Sequence, residues 1–224
     1  MSFFSDPDTV ARYAENPPKL VPGFADLQRM TLQLINERVG EDANLLVLGA
    51  GGGLEMKVFA EARPGWRLLG VDPLAEMLAL ATRTLGPLAS RADLREGTID
   101  AAPPGPFDAA TCLLTLHFIP AEDRARTLGE LWKRLKPGAP LVVAHHSFPQ
   151  EPGEKDIWLS RYAAFATASG IPRDKAEAAA EAIGTRLPVL PPEQDEALLR
   201  AAGFVGVSLF YAALTFRGWV AYRA

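Results

Sequence analysis

Leu45-Leu46-Val47-Leu48-Gly49-Ala50-Gly51-Gly52-Gly53-Leu54 is the stretch that decides the fold. Four consecutive apolar residues suit a strand covered on both faces, as in a parallel sheet. The glycines that follow let the backbone turn tightly and approach a ligand, and a helix starting at Leu54 would offer it free N–H groups. Asp72 stands 19 residues after Gly53 and closes a second apolar run over 66–71. A carboxylate at such a strand end can accept two hydrogen bonds from a ribose diol.

Outward from this centre, strands and helices alternate. Residues 54–62 read as a helix stopped by Pro64-Gly65, and 73–85 as a second, with Leu74, Met77, Leu78 and Ala81 on one face. A weak strand is expected over 92–96, a strong one over 107–114, an amphipathic helix over 121–135 and a further strand over 141–146. This order predicts right-handed βαβ units and an open parallel sheet, with its site at the carboxyl ends of the strands. Upstream, helices are expected from Asp6 to about Glu15 and over 24–39, the latter ended by Gly40. Downstream, 156–169 and 173–185 read as two helices of a cap too long to be a simple connection. A helix over 193–202 and a hairpin of 204–211 and 215–223, turning at Ala212-Ala213, complete the chain. The division is then one domain: N-terminal helices 1–40, a cofactor-binding core 41–148, a helical cap 149–190, and a closing helix and hairpin 191–224.

The 224 residues carry a net charge of −4, with 48% hydrophobic and 22% charged residues. That composition fills a core without disulfides, and Cys112, the one cysteine, excludes a cysteine-rich zinc site. The acidic balance argues against nucleic acid as a partner. No apolar run approaches the roughly 20 residues of a membrane span, and the first residues lack a signal-peptide pattern. A cytoplasmic protein is expected, a monomer or homodimer acting on a small molecule. Cys112 lies inside a strand and reads as a small core residue.

Five stretches together resemble the class I S-adenosylmethionine-dependent methyltransferases: LLVLGAGGG (45–53), GVDPLAEMLALA (70–81), PFDAATCLLTLHFIP (106–120), LWKRLKPGAPLVVAHHS (131–147) and AAGFVGVSLFYAALTFRGWVA (201–221). The dinucleotide fingerprint G-x-G-x-x-G/A fails at its sixth position, Leu54, which counts against NAD. The resemblance implies an α/β, Rossmann-like, doubly wound seven-stranded sheet, mostly parallel with an antiparallel last strand, plus the helical cap. It implies S-adenosylmethionine as cofactor, with Gly49, Ala50, Gly51 and Gly53 against its methionine part and Asp72 on its ribose. Pro73, Met77 and the loop Gly97-Thr98-Ile99 would lie near the adenine, Thr98 standing where the family usually has Asp. Leu113, Leu114 and His117 match the strand end facing the sulfonium, and Tyr13 sits on an N-terminal helix of the kind that closes over the cofactor. The family often has an acid where this chain has Val47. Glu55 is nearby, and it reads equally as a solvated first-turn residue favoured by the helix dipole.

On the acceptor side, His117 could act as a base or orient a nucleophile. His145 and His146 are further candidates, and strand alternation sends them to opposite faces. For the same reason no metal site is expected of the three histidines. Trp158, Arg161, Tyr162 and Phe165 lie at helical spacing in the cap, either lining a pocket or forming its packed face. The function implied is in-line methyl transfer to a small molecule. Three alternatives stand beside it: a carboxy-S-adenosylmethionine synthase-like enzyme, a non-catalytic cofactor-binding regulatory protein, and an NAD-dependent oxidoreductase. For the first of these, ungapped alignment places Leu198 where that subfamily has an arginine, with Arg200 two places on.

Overall fold

A computed structural model describes residues 16–224. Tyr13 and the helix expected before residue 16 lie outside the described residues. The strands are β1 (Asn44–Leu48), β2 (Arg67–Asp72), β3 (Ala92–Glu96), β4 (Ala109–Leu113), β5 (Pro140–His146), β6 (Phe204–Ala213) and β7 (Phe216–Arg223). They form one seven-stranded sheet in the order β3-β2-β1-β4-β5-β7-β6. β1 to β5 pair in parallel, while β7 runs antiparallel to both of its neighbours, β5 and β6. The sheet reverses direction between β1 and β4, the switch point where open α/β sheets bind ligands.

After a single helical turn, Pro17–Leu20, the longer helices are α1 (Phe24–Asn36), α2 (Leu54–Ala62), α3 (Ala75–Leu85), α4 (Ala121–Arg134), α5 (Glu154–Ala168), α6 (Arg173–Arg186) and α7 (Pro192–Ala201). Side-chain alternation along the strands divides the core in two. Val47, Val142 and Ala144 face Leu27, Met56, Phe59 and the cap residues Tyr162, Ala166 and Ile183. Leu46, Cys112, Val143 and Trp219 face Leu128, Leu131 and Leu199. Cys112 is a buried free thiol, as expected of a core residue.

Several boundaries differ from the sequence reading, each for a physical reason. β4 starts at Ala109, because Phe107 makes only an isolated bridge to Leu135. α3 starts at Ala75, because Asp72 Oδ1 accepts the Leu74 N–H at 3.0 Å and holds the backbone in a turn. Trp66 precedes β2 and is buried, its indole Nε1 donating to the Gly40 carbonyl at 2.9 Å. The hairpin turns at Leu214-Thr215 instead of Ala212-Ala213, with Leu214 at φ 52°. An apolar side chain in the left-handed region gives no turn signal in sequence.

A buried ion pair ties α7 to α4, and the same arginine holds the chain just after α6. Arg124 of α4 is wholly buried and donates to Asp195 Oδ1 of α7 at 3.0 Å, to the Ile119 carbonyl at 3.1 Å, and to the Pro188 carbonyl where the cap ends. Among the described residues no helix is long and apolar enough to cross a membrane.

Candidate functional site

The glycine loop leaves the carboxyl end of β1 with Gly49, Gly51 and Gly53 at φ 78°, 49° and 78°. Those left-handed angles favour glycine over any residue with a Cβ. At Gly49 space is limiting too: a Cβ there would lie 1.9 Å from Thr115 Oγ1 on the exit turn of β4. The loop is stitched to the end of β2. Gly49 and Ala50 N–H groups donate to the Val71 carbonyl at 2.8 and 3.0 Å, and Gly51 N–H donates to Asp72 Oδ2 at 2.9 Å.

Asp72 is thus oriented by two amides, one on each carboxylate oxygen, and each oxygen keeps a lone pair for a ligand. Burial raises its pKa, and the Leu74 and Gly51 amides partly offset that. The Asp72 carbonyl accepts the Gly97 N–H at 3.0 Å, which brings Gly97-Thr98-Ile99 to the end of β2. Ile99 and Met77 are buried, while Pro73 and Thr98 are exposed. The Thr98 hydroxyl donates to Asp100 Oδ2 at 3.2 Å and retains acceptor capacity.

On the other side of the glycine loop, β4 ends in Leu113, which is buried, and Leu114, at φ 55°. A non-glycine residue there stores on the order of 1–3 kcal/mol of strain, held by the surrounding packing. Leu113, Leu114, Gly49, Ala50, Glu55 and Gln28 of α1 help line a cavity of about 30 Å³. A larger depression, about 440 Å³, lies at the amino ends of β1 to β3, lined by Asn44, Arg67 and Arg91, and so at the opposite end of the sheet.

Glu55 departs from the solvated reading. It is buried, and Thr111 Oγ1 of β4 donates to its Oε1 at 2.6 Å. Burial pushes its carboxyl up to about 8. Thr111 is the cross-strand partner of Val47, so the Glu55 carboxyl hydrogen-bonds next to the position that lacks an acid. That missing acid was the one sequence signal that pointed to Glu55. Gln28 and Thr115 gave none.

The histidines divide as strand alternation predicts. His146 faces the cap: its ring stacks on Phe216 with centroids 4.0 Å apart, meets Tyr162 edge-on at 5.6 Å, and places Nδ1 3.0 Å from Thr215 Oγ1. His117 lies beside it, with Nδ1 accepting the His146 N–H at 3.2 Å. His145 faces the other way, its Nε2 3.1 Å from Asp195 Oδ2 and its ring 5.6 Å from Trp219. Burial holds His117 well below the usual histidine range and His146 at about 3, so both rings are neutral at ordinary pH. With Nδ1 accepting, the neutral His117 ring carries its proton on Nε2. In the cap, Tyr162 is buried, Phe165 is half-buried, and Arg161 lies over the Trp158 ring at 4.6 Å with Arg217 5.4 Å from the same ring. Among the described residues no group of three His, Cys, Asp or Glu is placed to hold a metal ion.

Known proteins share both sequence and fold with this chain. A methyltransferase-domain family model matches residues 46–141. A carboxy-S-adenosyl-L-methionine synthase from Chromohalobacter salexigens is 31% identical over 232 residues, covering 99% of this chain and 84% of that protein. A trans-aconitate 2-methyltransferase from an Azoarcus species is 31% identical over 152 residues, 62% of this chain and 56% of that protein. Among solved structures, a magnesium protoporphyrin IX methyltransferase from Synechocystis superposes with a TM-score of 0.69 at 14% identity, covering 99% of this chain and 97% of that one.

Proposed function

The chain belongs to the class I S-adenosylmethionine-dependent methyltransferase superfamily, and from that premise we propose that it methylates a small molecule held under the cap at the carboxyl ends of β4 and β5. The observation that carries the site assignment is the Gly51 N–H to Asp72 Oδ2 hydrogen bond, 2.9 Å long. It fixes glycine loop and acid as one unit at the switch point, where a ribose diol can meet the two free lone pairs of Asp72. Bound S-adenosylmethionine supplies a methyl group already activated on a sulfonium sulfur.

The chain's own residues then bind and orient. Asp72 holds the ribose, Met77 and Gly97-Thr98-Ile99 flank the adenine with Pro73 at the rim, and Gly49, Ala50, Gly51 and Gly53 give the methionine part backbone clearance. Leu113 and Leu114 keep the approach to the methyl group dry. His117 presents Nε2–H, so in this tautomer it orients an acceptor by donating a hydrogen bond and does not remove its proton. The rate gain then comes from in-line placement, which converts a two-molecule encounter into a reaction of bound partners. His146 supports His117 through its backbone N–H, and His145, on the far face, is a packing residue in this reading. The enzyme is read as cytoplasmic, monomeric or homodimeric, and without a nucleic-acid partner, the last supported by its net charge of −4.

A second reading, carboxy-S-adenosylmethionine synthesis, is favoured by the 31% identity along 99% of the chain. Against it, Arg200 is exposed on α7 and already paired with Glu196 at 2.8 Å. Titration calorimetry with S-adenosylmethionine, S-adenosylhomocysteine and NAD tests the site, which requires binding of the first two and loss of that binding in Asp72→Ala. Mass spectrometry of the spent cofactor separates the two reactions: S-adenosylhomocysteine marks methyl transfer, and a cofactor heavier by one carboxyl group marks the second.

A further inference from the structure

Three buried acids lie near the carboxyl ends of the strands, and they differ in what neutralises them. Asp195 has Arg124 at 3.0 Å. Asp72 has two backbone amides. Glu55 has the Thr111 hydroxyl alone, at 2.6 Å on Oε1. Among the described residues its Oε2 accepts no hydrogen bond, and no Lys, Arg or His pairs with it. It nevertheless lines a cavity of about 30 Å³ with Gln28, Gly49, Ala50 and Leu113. A single water needs on the order of 10–15 Å³ of such space, so one ammonium head has room.

The order of the strands says what reaches this cavity. Asp72 ends β2, and Gly97-Thr98-Ile99 follows β3, so a nucleoside with its ribose on Asp72 places its base toward β3. The remaining end of the ligand must then run the opposite way, across the glycine loop toward β1 and β4, which is where the Glu55 cavity opens. In S-adenosylmethionine that end is an α-amino acid.

We propose that Glu55, set by its Thr111 hydrogen bond, is the carboxylate that receives the α-ammonium group of the cofactor, and that it gives up a proton when the cofactor binds. The assignment rests on the methyltransferase reading of the site. Free Glu55 holds its proton because burial leaves an ionised carboxyl uncompensated, and its carboxyl is pushed up to about 8. An arriving ammonium supplies the missing positive charge, and the proton leaves to solvent. Thr111 continues to donate to Oε1, and Oε2 accepts from the ammonium.

The test compares S-adenosylhomocysteine with 5′-methylthioadenosine, which has the same nucleoside and thioether but no amino acid. Calorimetry of the full chain at pH 7 in buffers of different ionisation enthalpy counts protons exchanged. The expected result is release of close to one proton with S-adenosylhomocysteine beyond any released with methylthioadenosine. From pH 6 to pH 7 the affinity for S-adenosylhomocysteine should rise about tenfold, the slope of one linked proton, with no such rise for methylthioadenosine. Glu55→Gln should abolish the extra proton and weaken S-adenosylhomocysteine on the order of tenfold at pH 8, the loss of a charge-assisted bond, while leaving methylthioadenosine unchanged. Equal proton counts for the two ligands overturn the proposal, including the case in which a protonated Glu55 donates to the ligand carboxylate. Equal weakening of both ligands in Glu55→Gln overturns it as well. If that variant does not fold, the wild-type proton counts decide alone. Failure of both ligands to bind wild-type protein would instead refute the site assignment.

Discussion

Replacing Glu55 with glutamine should make the ligand-free protein more stable, by an amount that grows with pH. The folded-state carboxyl sits at about 8 against an ordinary value of 4.5. A raised acid contributes its full stability below the unfolded value and loses it as pH climbs toward the folded one, because the folded state must then either keep a proton or bury a charge. Each pH unit across that window costs about 1.4 kcal/mol. The penalty carried by Glu55 is therefore about 3 kcal/mol at pH 7 and close to 5 kcal/mol at pH 8 and above. Glutamine matches the side chain in size, keeps an oxygen for the Thr111 hydroxyl, and does not ionise. For a domain of this size 1 kcal/mol moves the melting temperature by about 2–4 °C. Glu55→Gln should then melt about 6–12 °C above wild type at pH 7, with the gap shrinking steadily toward pH 5. Thermal and denaturant unfolding of both proteins at half-unit pH steps measures it. Curves that stay parallel across pH 5–8 would refute the burial argument, and Glu55 would then be an ordinary solvated carboxylate.

Asp72→Asn should weaken S-adenosylmethionine by about 10²- to 10³-fold, since Asn must aim its NH₂ at one of the two donors, Gly51 or Leu74, and also loses charge-assisted bonds to the ribose; an unchanged Kd in calorimetry would show that the ribose binds elsewhere. Gly49→Ala should reduce stability by about 2–4 kcal/mol, combining the left-handed φ with overpacking against Thr115, and the double variant Gly49→Ala with Thr115→Gly, which removes the overlapping Cβ as well, should recover the overpacking part of the loss in urea unfolding but not the backbone part. Asp195→Ala strands the buried Arg124 charge and should cost about 3–5 kcal/mol, whereas Arg200→Ala on the exposed face of the same helix should be silent. His146 works in the opposite sense to Glu55: its lowered value of about 3 against 6.5 means stability held above pH 6.5 and lost at about 1.4 kcal/mol per unit as pH falls toward 3, so acid unfolding of His146→Phe should begin at lower pH than that of wild type.

What sequence reveals here is what local geometry dictates. Gly49, Gly51 and Gly53 announce a turn because the left-handed angles they adopt admit little else, and the place of Asp72 at the end of β2 is legible because it closes an apolar run. The alternation of His145 and His146 across the sheet follows from strand periodicity alone. Even β3, with its mixed polar pattern, is found by its place between a helix and the next strand. The misses are non-local. Leu214 turns the hairpin in a conformation that leucine disfavours, and nothing in the sequence marks it. Thr115 lies 66 positions from Gly49 and fixes its size through a contact that only the fold creates. Arg124 carries no mark in the sequence beyond its place on an amphipathic helix, and only the fold buries it, under α7 and the chain after α6.

Glu55 joins the two kinds of information. In the sequence it is a first-turn acid on α2, where the helix dipole suffices as a reason. In the fold the same side chain turns inward, crosses to β4 and meets Thr111, whose strand partner is Val47. A buried acid that lacks a cation is destabilising by itself, and a chain selected for stability alone would hold Gln or Leu there. Arg124 and Asp195 show how this same protein handles a buried charge that serves structure: it supplies the partner from within, 3.0 Å away. Among the described residues no such partner is supplied to Glu55. The asymmetry assigns Arg124 and Asp195 to the docking of α7 on α4, and Glu55 to a ligand that brings its own positive charge.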